Sequence, residues 1–202
     1  MIELDSEEPV ILASKSASRR AMLDAAGIPH QAIPADIDER ALEEGIAGCS
    51  PGEIAEALSV AKADAVTRSN PGRLVLGSDS LVVCDGNRFD KPTSRENAAE
   101  HLRFFSGKVM ELHSAAALLR DDTCVWSTQS LAQLHVRGLS EEFIEHYLEA
   151  EWPAISYCAG AFRIEAMGPQ LFERIEGDQF TVLGMPLLQV LEALRDEGEL
   201  LA

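Results

Sequence analysis

No apolar run in this 202-residue chain approaches the roughly 20 residues that a membrane-spanning helix needs. The opening Met-Ile-Glu-Leu-Asp-Ser-Glu-Glu is acidic and lacks the basic start and apolar stretch of a secretory signal. A cytoplasmic protein is the expectation. The four cysteines, Cys49, Cys84, Cys124 and Cys158, form no C-x-x-C pair and stand at no zinc spacing from a histidine, so reduced thiols are expected. The histidines show no ligand pattern either. Tryptophan and tyrosine number only two each, and 17 basic residues face 34 acidic ones. A net charge of −17 with so few stacking rings argues against a nucleic-acid partner or an anionic membrane surface. There is no G-x-x-x-x-G-K-[ST] loop, internal repeat or low-complexity linker.

What remains is ordinary globular composition, 46% hydrophobic and 25% charged, in a length that suits a single domain over 1–202. Pro9 to Ala13 is a short buried-strand run, followed by a serine-rich turn over 14–20 and a helix that Gly27 ends. Gln31-Ala32-Ile33 reads as a strand leading into the acidic loop Asp36-Ile37-Asp38-Glu39. Residues 51–68 form a helix with Ser50 as N-cap and Pro51 in its first turn. Residues 74–84 hold two β-type runs around a polar break, and Asp85-Gly86-Asn87 turns the chain back. Thr93 or Ser94 caps a helix to about Phe105. Residues 108–119 and 123–137 are two long strands, Ser140 opens another helix, loop and strand run from Ala159 to Ile175, and Gly184-Met185-Pro186 starts a final helix. Strand–helix units mixed with a hairpin predict an α/β fold with a mixed sheet.

Four places could carry chemistry. Residues 14–20 join a strand to a helix N-terminus, where free N–H groups and the helix dipole favour an anion. Ser14, Ser16 and Ser18 add hydroxyls there, and Lys15, Arg19 and Arg20 add charge. A serine cap beside solvated arginines is an equally good account of the same residues. In Gly77-Ser78-Asp79-Ser80, a carboxylate at a strand end could bind a divalent metal or take a proton from water. It could equally be a turn aspartate bonded to its own backbone. The acidic run at 36–39 suits magnesium or manganese, or is a solvated loop. Lys62 and Lys91 are point charges for phosphate, or surface lysines.

Taken together and in order, these pieces resemble the Maf (septum-formation inhibitor) family of nucleotide pyrophosphatases. The resemblance runs from about 9 to 195. It rests on Ile11 to Arg20, Asp38-Glu39, Ala61-Lys62-Ala63, Gly77-Ser78-Asp79, Lys91-Pro92, Leu102 to Gly107, Ala159 to Phe162, Phe172 to Gly177 and Val182 to Leu187. No piece is specific alone; the joint order is. The resemblance implies a Maf/inosine-triphosphatase fold, with a long mixed sheet flanked by helices and two lobes around a central cleft. It also implies a divalent metal (magnesium or manganese), hydrolysis of nucleoside triphosphates to monophosphate and pyrophosphate, a homodimer, and a link to removal of modified nucleotides and to division arrest. Carried over by motif, Ser14, Ser16, Arg19, Arg20, Lys62 and Lys91 meet the phosphates. Asp79 is the general base, and Glu39 and Asp79 hold the metal.

This chain departs from the pattern at Ala17, where the family has proline. Three positions that track substrate choice in the family are Ser18, Ser80 and Glu165 here. The dTTP/UTP type carries arginine, threonine and glutamine at them; the 7-methyl-GTP type carries tryptophan, glutamine and glutamate. Only Glu165 agrees with either, and it agrees with the 7-methyl-GTP type. The competing readings are a nucleotide-binding regulator of division with little hydrolysis, and a phosphatase that releases orthophosphate.

Overall fold

The structure, a computed structural model, describes residues 8–46 and 48–201. The acidic opening segment up to Glu7 lies outside the described residues. In chain order the elements begin β1 (Val10–Leu12), α1 (Ala17–Ala25), β2 (His30–Ala32), α2 (Glu39–Gly45), α3 (Pro51–Thr67) and β3 (Leu74–Cys84). They continue β4 (Asn87–Phe89), α4 (Arg95–Phe105), β5 (Val109–Arg120), β6 (Thr123–Val136) and α5 (Glu141–Glu151). Short 3-10 turns at Ala154–Tyr157 and Gly168–Leu171 precede β7 (Phe172–Glu176), α6 (Gln179–Val182) and α7 (Leu187–Asp196). The seven strands form one sheet in the order β2-β1-β3-β5-β6-β7, with β4 paired to β3. Parallel and antiparallel pairs coexist in it, as expected for a mixed α/β sheet.

The chain divides into two compact units. The first runs to Ser80 and adds Ser114–Ser130 and the segment from Leu183 onward. Here β1 pairs in parallel with β2 and β3, Ile11 lying opposite both Gln31 and Val75. A strand flanked on both edges and covered on both faces must be apolar throughout, and Val10, Ile11 and Leu12 are all buried. Its core joins Ile11, Ala13, Val75, Ala117 and Leu119 to Ala63 and Val66 of α3. A reciprocal capping box starts α3: the Ser50 Oγ accepts from Glu53 N, and the Glu53 carboxylate accepts from Ser50 N at 2.7 Å.

The second unit takes Leu81–His113 and Leu131–Val182. Its core gathers Leu102 and Phe105 of α4, Met110, Leu134, and Ile144, Tyr147 and Leu148 of α5, all essentially without solvent contact. Each such side chain contributes roughly 1.5–3 kcal/mol through burial. Phe105 packs edge to face against Phe89 and Phe104, which are tilted on each other at 47°, and His101 stands against Phe89 at 5.1 Å. Ser94 and Ser140 cap α4 and α5 by accepting from the backbone N–H of Asn97 and Phe143.

Three sequence expectations need correction. Residues 17–20 are the first turn of α1, because Ser16 caps the helix there, its Oγ accepting from Arg19 N at 3.3 Å. The acidic run at 36–39 opens a short helix rather than remaining a loop: Asp38 is the N-cap of α2, accepting from Ala41 N at 3.1 Å. Residues 74–84 form one unbroken strand, so Asp79 lies within β3 and not at a strand end.

Candidate active site

Asp79 owes its surroundings to Gly77. A Cβ placed on Gly77 would stand 2.0 Å from the Ser59 carbonyl oxygen and 3.0 Å from Ala63 Cβ, so only glycine lets α3 lie this close to β3. Ser59 is itself fully buried, its hydroxyl turned back to the Ala55 carbonyl at 2.7 Å. With the helix seated so, Lys62, one turn beyond Ser59, meets Asp79, two residues beyond Gly77 and on the same face of the strand. The Lys62 ammonium donates to Asp79 Oδ1 and reaches Glu39 Oε1 at 2.9 Å. One cation therefore gathers two carboxylates from two other elements. Asp79 is 7% exposed, whereas Glu39 keeps 45% of its side-chain exposure.

The opposite face of β3 serves Arg19. Successive strand residues alternate, and Ser78 and Ser80 point away from Lys62. Arg19 projects from the first turn of α1 and is only 7% exposed. Its Nε donates to the Gly184 carbonyl at 2.9 Å, Nη1 to Ser14 Oγ at 3.3 Å and Nη2 to Ser80 Oγ at 3.2 Å. Ser78 Oγ donates to the Ala115 carbonyl at 2.8 Å and to Gly184 O at 3.3 Å, tying that carbonyl to the sheet. Burial lowers the Arg19 pKa, and the charges of Asp79 and Glu39 oppose that shift. Arginine starts so high that it remains a cation. Arg19 and Lys62 offset the two carboxylates, and the other two cations of residues 14–20, Lys15 and Arg20, are exposed.

Ser14 sits at the end of β1, buried, and accepts from the backbone N–H of Ser16 at 3.2 Å. Ser18 turns its hydroxyl to the Leu183 carbonyl at 2.8 Å. Ser18 and Ser80 thus have internal partners in this chain, and both anchor the surroundings of Arg19. Ala17, where proline was expected, is the first helical residue of α1. Proline suits that position because its missing N–H is no loss there, and alanine serves it through high helix propensity.

The first unit therefore assembles Ser14, Ser16, Ser18, Arg19, Arg20, Glu39, Lys62, Asp79 and Ser80. Lys91 and Glu165 belong to the second unit. Both are exposed, and both act on the Cys158 thiol. Burial raises that thiol's pKa most, Glu165 raises it further, and Arg163 and Lys91 pull it down. The sequence reading missed the carbonyls of Leu183 and Gly184 as anchors for Ser18 and Arg19. Gly184-Met185-Pro186 does lead into α7 at Leu187 as expected, but a local pattern does not show that the carbonyls just before it serve as anchors. Among the described residues no group of three or more histidines, cysteines, aspartates or glutamates could hold a metal unaided. No described helix is long and apolar enough to cross a membrane.

The model of the Maf-like protein family matches residues 9–197. The chain is 45% identical over 191 residues to a nucleoside triphosphate pyrophosphatase of Nitrobacter hamburgensis, with 95% of each chain covered. It is also 45% identical over 191 residues to a 7-methyl-GTP pyrophosphatase of Rhizobium meliloti, covering 94% of this chain and 96% of that one. Among solved structures, the Ham1 protein of Staphylococcus aureus aligns with a TM-score of 0.49 at 13% identity, covering 93% of this chain and 100% of that one.

Proposed function

This chain belongs to the Maf-like protein family, and we infer that it hydrolyses nucleoside triphosphates to the monophosphate and pyrophosphate with Asp79 as general base. The observation that carries the residue assignment is the Lys62 ammonium holding Asp79 and Glu39 together on one face of β3, with buried Arg19 on the other. Asp79 accepts a proton from the water that attacks the α-phosphorus, while the bond from that phosphorus to the bridging oxygen breaks. Lys62 fixes Oδ1 and so orients the carboxylate. Arg19 holds Ser14, Ser80 and the Gly184 carbonyl in place from the other face, and its charge with the open N–H groups at the start of α1 favours an anion nearby. Ser16 and Arg20 add a hydroxyl and positive charge at that helix start.

Glu39 and Asp79 are the residues that would hold a divalent metal. They are hard oxygen donors gathered around Lys62, whose ammonium takes one oxygen of each, and magnesium or manganese commonly takes one or two carboxylate oxygens and completes its shell with water and substrate phosphates. When bound, such an ion neutralises phosphate charge and lowers the pKa of water.

For base choice we place Glu165 against the nucleobase. A carboxylate accepts from the N–H edge of guanine, which favours a 7-methyl-GTP-like substrate. Glu165 is exposed in a turn, whereas Ser18 and Ser80 are occupied inside the first unit.

Asp79→Asn tests the assignment. It preserves size and removes the base, so a folded variant with turnover about 10³-fold down is expected. Near wild-type turnover in that variant would remove Asp79 from the chemistry.

A further inference from the structure

We propose that Glu151 and Tyr147 on α5 are positioning residues for nucleobase choice, holding residues 161–167 in the shape that presents Glu165. The proposal rests on the reading of Glu165 as the base contact. Glu151 closes α5 and is 4% exposed, and a carboxylate so buried needs strong partners. Both partners lie in this segment: Oε2 accepts from Arg163 Nε at 2.9 Å, and Oε1 accepts from the Met167 backbone N–H at 3.3 Å. The carboxylate thus brackets a turn from both ends, and Glu165 is the exposed residue in its middle.

The turn is closed from within as well. The Arg163 carbonyl accepts from Ala166 N at 3.1 Å and from Gly168 N at 3.0 Å. A Cβ on Gly168 would lie 2.3 Å from that carbonyl oxygen, so the chain passes with no room for a side chain. One helical turn before Glu151 on the same face of α5, Tyr147 is fully buried and donates its hydroxyl to the Ala161 carbonyl at 3.3 Å. Ala161 has φ 53°, a left-handed conformation that alanine rarely takes and that persists where the surroundings enforce it. Burial first, and the charge of Glu151 second, push the Tyr147 pKa up, further from ionisation. Glu165 itself is exposed, so the backbone that these two residues fix sets the direction in which its side chain leaves the turn. Small displacements of a contact group carry large costs.

The test compares kcat/KM for 7-methyl-GTP and dTTP in the full-length chain. Glu165→Ala is expected to lower the ratio about tenfold, the loss of one charged hydrogen bond. Glu151→Ala should lower it similarly, while kcat for dTTP holds. Glu151→Gln, which keeps one acceptor oxygen, should fall between, and it carries the test if Glu151→Ala fails to fold. Tyr147→Phe should shift the ratio about twofold to threefold by loosening one neutral hydrogen bond. In the Glu165→Ala background, Glu151→Gln should change the ratio no further, because both act through one contact. A wild-type ratio in Glu151→Gln, or additive losses in the double variant, would overturn the proposal. An unchanged ratio in Glu165→Ala would instead remove the base-contact reading, and the proposal with it.

Discussion

The two units hold their polar groups in opposite ways. In the first, the charges are drawn inward: Arg19 and Asp79 are each 7% exposed, and Lys62 keeps 12% of its side-chain exposure. Their partners come from β1, α2, β3 and the approach to α7. In the second, Lys91 and Glu165 stand exposed, and the turn that carries Glu165 is held from within by Glu151 and Tyr147. On the proposed assignment the contrast suits two tasks. Phosphate chemistry gains from cations and a base fixed before substrate arrives, because no reorganisation is then needed in the transition state. Base discrimination needs a single well-aimed contact, and an exposed side chain on a rigid turn supplies one that can be exchanged without disturbing the chemistry.

The contrast can be broken most severely at Lys62. Lys62→Ala leaves Asp79 beside Glu39 with no cation between them. We expect kcat/KM to fall about 10³-fold and thermal stability to drop, read by pyrophosphate release and thermal unfolding. Gly77→Ala attacks the same site through the backbone. The new methyl meets the Ser59 carbonyl, and a loss of about 3 kcal/mol is expected by chemical denaturation. Arg19→Lys keeps the charge but loses the fork that reaches Gly184, Ser14 and Ser80. A fall of about 30-fold in kcat/KM is expected, roughly 2 kcal/mol.

The smallest effect belongs to the second unit. His101 stands against Phe89 and Phe105, with Glu100 and Asp90 nearby, and burial lowers its pKa despite those carboxylates. The folded state therefore prefers the neutral ring. Its contribution is complete above the unfolded value of about 6.5 and is lost as pH falls below it towards the lowered folded value. His101→Phe should flatten the fall in melting temperature between pH 7 and pH 5; an unchanged slope would show that His101 is not its source.

Much of this was legible from residues alone. The first strand, the body of the helix that Gly27 follows, the capped helix from Pro51, the Asp85-Gly86 turn and the long β5 and β6 all follow from local propensity and capping chemistry. The continuity of β3 was not, because Gly77-Ser78-Asp79 reads as a break until α3 is laid against it. That contact is tertiary, and no local pattern carries it. The helical role of Asp38 was hidden in an acidic run that composition alone makes look like solvated loop. The site residues were legible mainly by resemblance: each had a bland account at least as good, and the Lys62 bridge to Asp79 and Glu39 is a fact of packing. Tyr147 and Glu151 were invisible in sequence, since one reads as a core aromatic and the other as a surface acid at a helix end.

The most direct test of the account is the identity of the products. The purified chain would be incubated with magnesium or manganese and a panel of dTTP, UTP, GTP and 7-methyl-GTP, with and without a chelator. The account predicts metal-dependent release of pyrophosphate and nucleoside monophosphate in equal amounts, fastest with 7-methyl-GTP and abolished by the chelator. Orthophosphate with a nucleoside diphosphate, or nucleotide binding with no turnover under either metal, would contradict it.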